Sequence, residues 1–132
     1  MKTINVFISH SWHHVDDLKN LRGLLLKSGI DIYFTEVPPH EAINSSNAYY
    51  VKRRISQKLD ESDVVIGLCG IYASYSEWME WELETAYAKR KPIIGVVPWG
   101  RERISQVVQR YTNTIVRWNT SSIEAAIREA CR

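Results

Sequence analysis

Apolar and polar positions along this chain follow two periodicities, one typical of buried strands and one typical of amphipathic helices. Apolar runs that lack a polar face predict strands covered on both sides, as in a parallel sheet. Five such strands are predicted at residues 4–9, 30–34, 63–70, 92–100 and 113–118. A helical period follows each strand and predicts helices over residues 15–27, 48–59, 74–89, 103–111 and from Thr120 onward.

This alternation predicts an α/β fold in a single domain over residues 1–132, with no linker, repeat or low-complexity tract. The expected architecture is a doubly wound, flavodoxin-like domain with a five-stranded, mostly parallel sheet and helices on both faces. A serine is expected to cap the last helix. The residues that this helix should turn inward are Ile123, Ala126, Ile127 and Ala130.

Ligands of such sheets bind outside the carboxyl ends of the strands. This rule selects the loops that follow the predicted strands as the candidate binding surface. They comprise Ser9, His10, Ser11 and Trp12, the loop after Phe34, residues 70–76 ending at Ser76, residues 98–100, and Trp118 with Asn119.

Composition and charge narrow the possible partners. The net charge of +2 is too small to indicate binding to nucleic acid or to an anionic membrane surface. No apolar stretch approaches the roughly 20 residues of a membrane span, and the first residues do not read as a signal peptide. Cys69 and Cys131 have neither metal nor redox spacing. We therefore expect a cytoplasmic protein that binds neither nucleic acid nor membrane.

Several common site chemistries are missing from the sequence. The first strand–helix turn has no glycine, which argues against a phosphate-binding loop of the usual kind. A phosphoacceptor aspartate is absent from the end of the third strand, where the chain reads Leu68-Cys69-Gly70. His10, His13 and His14 form a cluster, but no fourth ligand has suitable spacing. We expect no metal and no bound cofactor.

The stretch "SEWMEWELE" at residues 76–84 places four glutamates on the third predicted helix. The helical period assigns one set of residues to the core face, with the last of them at its margin: Met79, Leu83, Ala86 and Tyr87. It assigns three glutamates to the outer face: Glu77, Glu80 and Glu84.

Glu82 differs from the other three glutamates. It lies at the edge of the core stripe, one turn beyond Trp78. Periodicity alone favours a solvated glutamate beside a packing tryptophan. The alternative is a carboxylate whose reactivity is tuned by desolvation near the open end of the sheet.

Three segments of the chain resemble TIR-like domains, most closely the small bacterial group from Thoeris anti-phage defence. These segments are "VFISHSW" at the first strand, "DVVIGLCGIYASYSEW" leading into the third helix, and "KPIIGVVPWG" at the fourth strand. The resemblance covers nearly the whole chain. Trp78-x-x-x-Glu82-Leu83 matches the W-x-x-x-E-[LI] pattern around the catalytic glutamate of TIR-domain enzymes that consume NAD⁺.

The resemblance implies cleavage of the nicotinamide–ribose bond of NAD⁺ and synthesis of a cyclic ADP-ribose isomer that signals to a separate effector protein. NAD⁺ would be a substrate and not a cofactor. Glu82 would be the catalytic carboxylate and Trp78 an aromatic wall of the pocket. The resemblance further implies substrate-binding roles for strand-one residues and three more aromatic side chains: Phe7, Ser9, His10, Trp12, Tyr72 and Trp99.

Two other functions remain open. TIR-like domains generally self-associate, and the loop at residues 35–47 departs from the pattern of many TIR domains. Together these features suggest a TIR-like interaction module without turnover. This loop lacks the Arg-Asp and Pro-Gly signatures of many TIR domains and reads Val37-Pro38-Pro39-His40. Topology alone also fits a flavodoxin-like binder of a nucleotide or flavin.

Overall fold

A computed structural model of the chain describes residues 3–9, 15–35, 48–68, 77–97 and 106–131. Strands and helices alternate through these ranges in the predicted order. The strands are β1 (Ile4–Ser9), β2 (Ile32–Phe34), β3 (Val64–Leu68), β4 (Ile93–Val97) and β5 (Thr114–Arg117). The helices are α1 (Val15–Leu26), α2 (Ala48–Glu61), α3 (Glu77–Ala88), α4 (Gln106–Tyr111) and α5 (Thr120–Ala130).

The five strands form one parallel sheet in the order β2-β1-β3-β4-β5. From β1 the chain moves outward to β2 and then crosses back to β3 on the other side of β1. The direction of winding therefore reverses between β1 and β3, which makes the carboxyl ends of these two strands the expected ligand crevice. The predicted α/β doubly wound fold is confirmed.

Successive residues of β1 point into two different hydrophobic layers, because side chains alternate along a strand. Val6 and Ile8 pack with residues of α1 and α5, whereas Phe7 packs with residues of α2, α3 and α4. The sheet therefore has helices on both faces. β3 and β4 are buried along their whole length, as their uninterrupted apolar sequences predict.

The last four backbone carbonyls of α2 accept hydrogen bonds from three parts of the chain. The backbone N–H of Ser62 donates to Leu59, and its hydroxyl donates to the carbonyl of Lys58. Nζ of Lys91 reaches the carbonyls of Asp60 and Ser62 at 3.3 and 2.8 Å. Nδ2 of Asn5 donates to the carbonyl of Glu61. Each of the last four carbonyls, which a helix cannot pair internally, has a donor.

Helix α3 ends in a left-handed turn. Arg90 has a φ of 61°, and the N–H groups of Arg90 and Lys91 donate to the carbonyls of Tyr87 and Ala86. This pattern is a Schellman motif, in which glycine is the usual residue at the left-handed position. The chain places arginine there and therefore carries some backbone strain at the end of α3.

Two sequence-based details were wrong. The N-cap of α5 is Asn119, whose Oδ1 accepts from the N–H of Ser122 at 3.1 Å; an asparagine one residue ahead of Thr120 does what a serine was expected to do. Tyr87 is 61% exposed instead of bordering the core. It lies in the last turn of α3, where its ring contacts Tyr111 of α4 at a centroid distance of 5.7 Å.

Candidate active site

Ser9 is the last residue of β1 and lies at the carboxyl edge of the sheet, beside the point where the winding reverses. Its position relative to Phe7 and Ile8 directs its side chain toward the layer formed by α2, α3 and α4. Ser9 is completely buried, so its hydroxyl requires a hydrogen-bond partner within the protein.

Glu82 lies in the same layer, but it belongs to helix α3, which packs over the sheet, and not to the sheet itself. Helix α3 joins two parallel strands, so it runs from the carboxyl edge of the sheet back toward the amino edge. Glu82 is in the second turn of this helix and directly precedes Leu83, a fully buried core residue. Only 4% of Glu82 is exposed. The interpretation of Glu82 as a solvated surface residue is therefore wrong.

The hydroxyl of Ser9 donates to Oε1 of Glu82 at a distance of 2.8 Å. A buried carboxylate loses the solvation that water would give it, and a hydrogen bond to the charged form compensates part of that loss. The bond connects β1 with α3 and holds the carboxylate at the carboxyl end of β1. A carboxylate held in this way can stabilise a developing positive charge or accept a proton from a ligand in the crevice.

The other three glutamates of the quoted stretch do not share this environment. Glu80 and Glu84 are exposed, and Glu80 lies 3.9 Å from the guanidinium of Arg110 on α4. The predicted outer positions of these two residues are confirmed. The side chain of Glu77 lies outside what the structure describes.

The remaining predicted site residues fall into three groups. Phe7 is buried in the core under α3, two residues before Ser9 on the same face of β1. Trp78 lies in the first turn of α3, four residues before Glu82, and its side chain is not among those described. The others lie outside the described residues: His10, Ser11, Trp12, Tyr72, Ser76 and Trp99.

Sequence analysis missed one residue of this neighbourhood, Gly67. It pairs with Ser9 in the register of β1 and β3, and its position is buried beneath Leu83 of α3. The available signal was a glycine within the apolar run of the third strand, since glycine inside a strand often marks the close approach of another element.

A groove of about 790 Å³ opens at the opposite, amino edge of the sheet. Its lining includes Tyr87, Arg90, Asn113, Ala126 and Glu129. The last turns of α3 and α5 meet there, and the groove contains neither Ser9 nor Glu82. Because ligands of doubly wound sheets bind at the carboxyl edge, we assign the candidate active site to the Ser9–Glu82 edge.

Within the described ranges, no three histidine, cysteine, aspartate or glutamate side chains come together in a metal-binding arrangement. The histidines of the first loop lie outside those ranges. None of the helices that the structure describes is both long enough and apolar enough to span a bilayer.

Comparison with known proteins gives a family match and a group of similar folds. The family described as "Thoeris protein ThsB, TIR-like domain" matches residues 7–103 of the chain. No curated protein matches the chain in sequence.

Three solved structures resemble the chain over nearly its whole length. The CMP N-glycosidase BcmB of Clostridium botulinum has 15% identity and a TM-score of 0.58, covering 95% of this chain and 96% of its own. A prokaryotic SEFIR domain has 16% identity and a TM-score of 0.54, covering 96% and 94%. A 3-dehydroquinate dehydratase-like protein of Bifidobacterium longum has 12% identity and a TM-score of 0.51, covering 99% and 96%. At these identities the likeness shows a shared fold.

Proposed function

Because the chain belongs to the TIR-like domain family of Thoeris protein ThsB, we propose that it is an NAD⁺-consuming enzyme that cleaves the bond between nicotinamide and ribose. The observation that carries this proposal is the buried Glu82 carboxylate, held by the Ser9 hydroxyl at 2.8 Å at the carboxyl edge of the sheet. The sequence around it, Trp78-x-x-x-Glu82-Leu83, also resembles the pattern around the catalytic glutamate of TIR-domain enzymes.

A single carboxylate suits the bond-breaking step. Nicotinamide is attached through a cationic ring nitrogen and departs as a neutral molecule with the electron pair of the C1′–N bond, so no acid is needed to protonate it. Positive charge then develops on the ribose C1′ and its ring oxygen. The Glu82 carboxylate would stabilise this oxocarbenium-like cation, as carboxylates do in glycoside hydrolysis.

The fate of the cation decides the product. Attack by water at C1′ releases ADP-ribose, and the proton lost by the water can pass to Glu82. Attack by the adenosine end of the same molecule closes a cyclic ADP-ribose, which requires the substrate to fold back and water to be excluded. We propose that the enzyme forms a cyclic ADP-ribose, in keeping with the family resemblance, and that this product carries the signal to a separate effector protein. Self-association of the chain belongs to the same proposal.

The N-glycosidase BcmB gives limited support. Its name describes an enzyme that cleaves an N-glycosidic bond in CMP, the same class of bond that joins nicotinamide to ribose. The likeness to this chain lies in the fold alone.

The direct experiment compares nicotinamide release from NAD⁺ by the wild type, by Glu82→Gln and by Glu84→Gln. Glutamine keeps the shape of Glu82 and an oxygen that can accept from Ser9, but it removes the charge. We expect Glu82→Gln to lose activity about 100-fold or more, the effect of removing one electrostatic stabiliser of a transition state. Glu84→Gln is the matched control because Glu84 is exposed on the same helix.

The assay is run over a range of protein concentrations, since self-association is part of the proposal, and the products are identified by mass spectrometry. Equal turnover by the wild type and Glu82→Gln would overturn the role of Glu82. A wild type that releases no nicotinamide at any concentration would overturn the proposed activity and favour an interaction module.

A further inference from the structure

Gly67 lies in a row of small residues that crosses the sheet beneath α3. Ser9 of β1 pairs with Gly67 of β3, and Gly67 pairs with Gly95 of β4. Register partners in adjacent strands share a face of the sheet, so all three face the layer of α2, α3 and α4. The other residues of β3 are valine, isoleucine and leucine. Glycine in such a strand indicates that another element approaches closely.

The approaching element is α3, through the side chain of Leu83. A Cβ atom built on Gly67 would lie 3.4 and 3.6 Å from the two δ-methyl carbons of Leu83. It would lie 3.5 Å from Cγ1 of Val108 on α4. These are ordinary contact distances for the Cβ itself. Any atom beyond the Cβ that points toward α3 would meet Leu83, which is fully buried within the hydrophobic core, where side chains are close-packed.

We propose that Gly67 is a positioning residue for the carboxylate of Glu82. Because residue 67 has no side chain, Leu83 packs directly onto β3, and this contact fixes how deeply α3 sits on the sheet. Glu82 precedes Leu83, so the same depth brings its carboxylate within 2.8 Å of the Ser9 hydroxyl. Ser9 is the register partner of Gly67, so the packing contact and the hydrogen bond act at the same level of the sheet.

A graded effect of side-chain size at residue 67 follows. Alanine adds only the Cβ, which fits at contact distance, so Gly67→Ala keeps the Ser9–Glu82 hydrogen bond. Valine adds two methyl groups that overlap Leu83, so Gly67→Val moves α3 away from the sheet. The double variant Gly67→Val/Leu83→Ala removes the leucine side chain that the valine would overlap, so α3 can again pack close to the sheet. Ile66→Ala is the control, because Ile66 is buried in the same strand but faces α1 and α5.

Two measurements test the inference. Crystal structures of wild type, Gly67→Ala and Gly67→Val report the distance between Ser9 Oγ and Glu82 Oε1, whether or not NAD⁺ turns over. Steady-state kinetics report the functional consequence, which rests on the proposed function. We expect kcat of Gly67→Val to fall about 100-fold, the effect of misplacing a catalytic group by about 1 Å, with KM for NAD⁺ little changed. We expect Gly67→Ala to behave as wild type, the double variant to recover part of the loss, and folded Ile66→Ala to keep its kcat.

A Gly67→Val structure that retains the hydrogen bond overturns the inference, as does an unchanged kcat. Should Gly67→Val fail to fold, Gly67→Cys takes its place with a smaller displacement, and the same two outcomes decide. If the wild type shows no turnover, the proposed function is overturned. The crystal structures of the Gly67 variants then decide whether Gly67 positions Glu82.

Discussion

Ser9 and Glu82 are separated by 73 residues in the sequence, yet their side chains meet in a hydrogen bond of 2.8 Å inside the protein. One residue ends the interior strand β1, and the other lies in the second turn of α3. Both are buried. This contact defines the candidate site more sharply than any single residue does, because it specifies both the position of the carboxylate and the group that stabilises it.

Ser9→Ala should lower the free energy of unfolding by about 1–3 kcal/mol, the cost of removing a hydrogen-bond donor from a buried acceptor. In a Glu82→Gln background the same change should cost less, since a neutral amide oxygen gains less from the hydroxyl than a carboxylate does. Urea unfolding of the four proteins in this double-mutant cycle measures the difference. We expect nicotinamide release by Ser9→Ala to fall about 10- to 100-fold, because the carboxylate is less well oriented.

Ser28→Ala provides the control for this cycle. The hydroxyl of Ser28 donates to the carbonyl of Leu25 at the end of α1 and has no contact with Glu82. Its cost should therefore be the same in the wild type and in Glu82→Gln. Equal costs of Ser9→Ala in the two backgrounds would show that the Ser9–Glu82 hydrogen bond does not couple the residues.

Arg90→Gly should stabilise the protein. Arginine at a φ of 61° carries left-handed strain of about 1–2 kcal/mol. Glycine relieves that strain but makes the unfolded chain more flexible, so we expect a net gain of about 0.5–1 kcal/mol. Ala88→Gly, at the last helical residue of α3, should instead lose stability, by up to about 1 kcal/mol. Thermal unfolding of both variants gives the signs, and a loss of stability in Arg90→Gly would contradict the argument.

Lys91→Met should destabilise the protein more than Lys89→Met, although both lysines reach the end of α2. Lys91 donates to two backbone carbonyls, and its loss should cost about 1–2 kcal/mol because these acceptors are left without their charged donor. Lys89 forms an ion pair with Asp60, whose side chain is 61% exposed, so its loss should cost less than about 1 kcal/mol. Denaturant unfolding ranks the two, and the reverse order would count against the capping role of Lys91.

Asn119→Ala should cost about 1 kcal/mol, because the first turn of α5 loses the side chain that accepts from the N–H of Ser122. Ser121→Ala, at an exposed position of the same turn, should change stability by less than about 0.5 kcal/mol. Both values come from equilibrium unfolding. A larger effect at Ser121 would restore the serine cap that the sequence suggested.

The alternation of strands and helices was predictable because each element carries its own period. Strand boundaries were less so, since they depend on the neighbouring strand. Ile30 is buried as expected, but β2 begins at Ile32 because its ladder partner, Ile4, is where β1 begins. The start of one strand is therefore set by the start of another strand that is distant in sequence.

The environment of Glu82 could not be predicted from α3 alone. At about 100° per residue, Glu82 and Tyr87 lie at similar angles, about 70° on opposite sides of the centre of the core stripe. Glu82 is buried and Tyr87 is exposed. The difference arises from what each flank of α3 faces, β1 with Ser9 on one side and the short helix α4 with Tyr111 on the other. The family resemblance singled out Glu82 for a catalytic role, which stays a prediction.

The long sequence separation between Ser9 and Glu82 has a consequence for synthesis of the protein. While a ribosome is still translating the first half of the chain, Ser9 exists without its partner, and β3 must join the sheet before α3 can fold over it. A nascent or truncated chain that stops short of α3 contains no assembled carboxylate site. For a protein proposed to consume NAD⁺, this order of assembly means that incomplete chains cannot cleave the NAD⁺ of the cell.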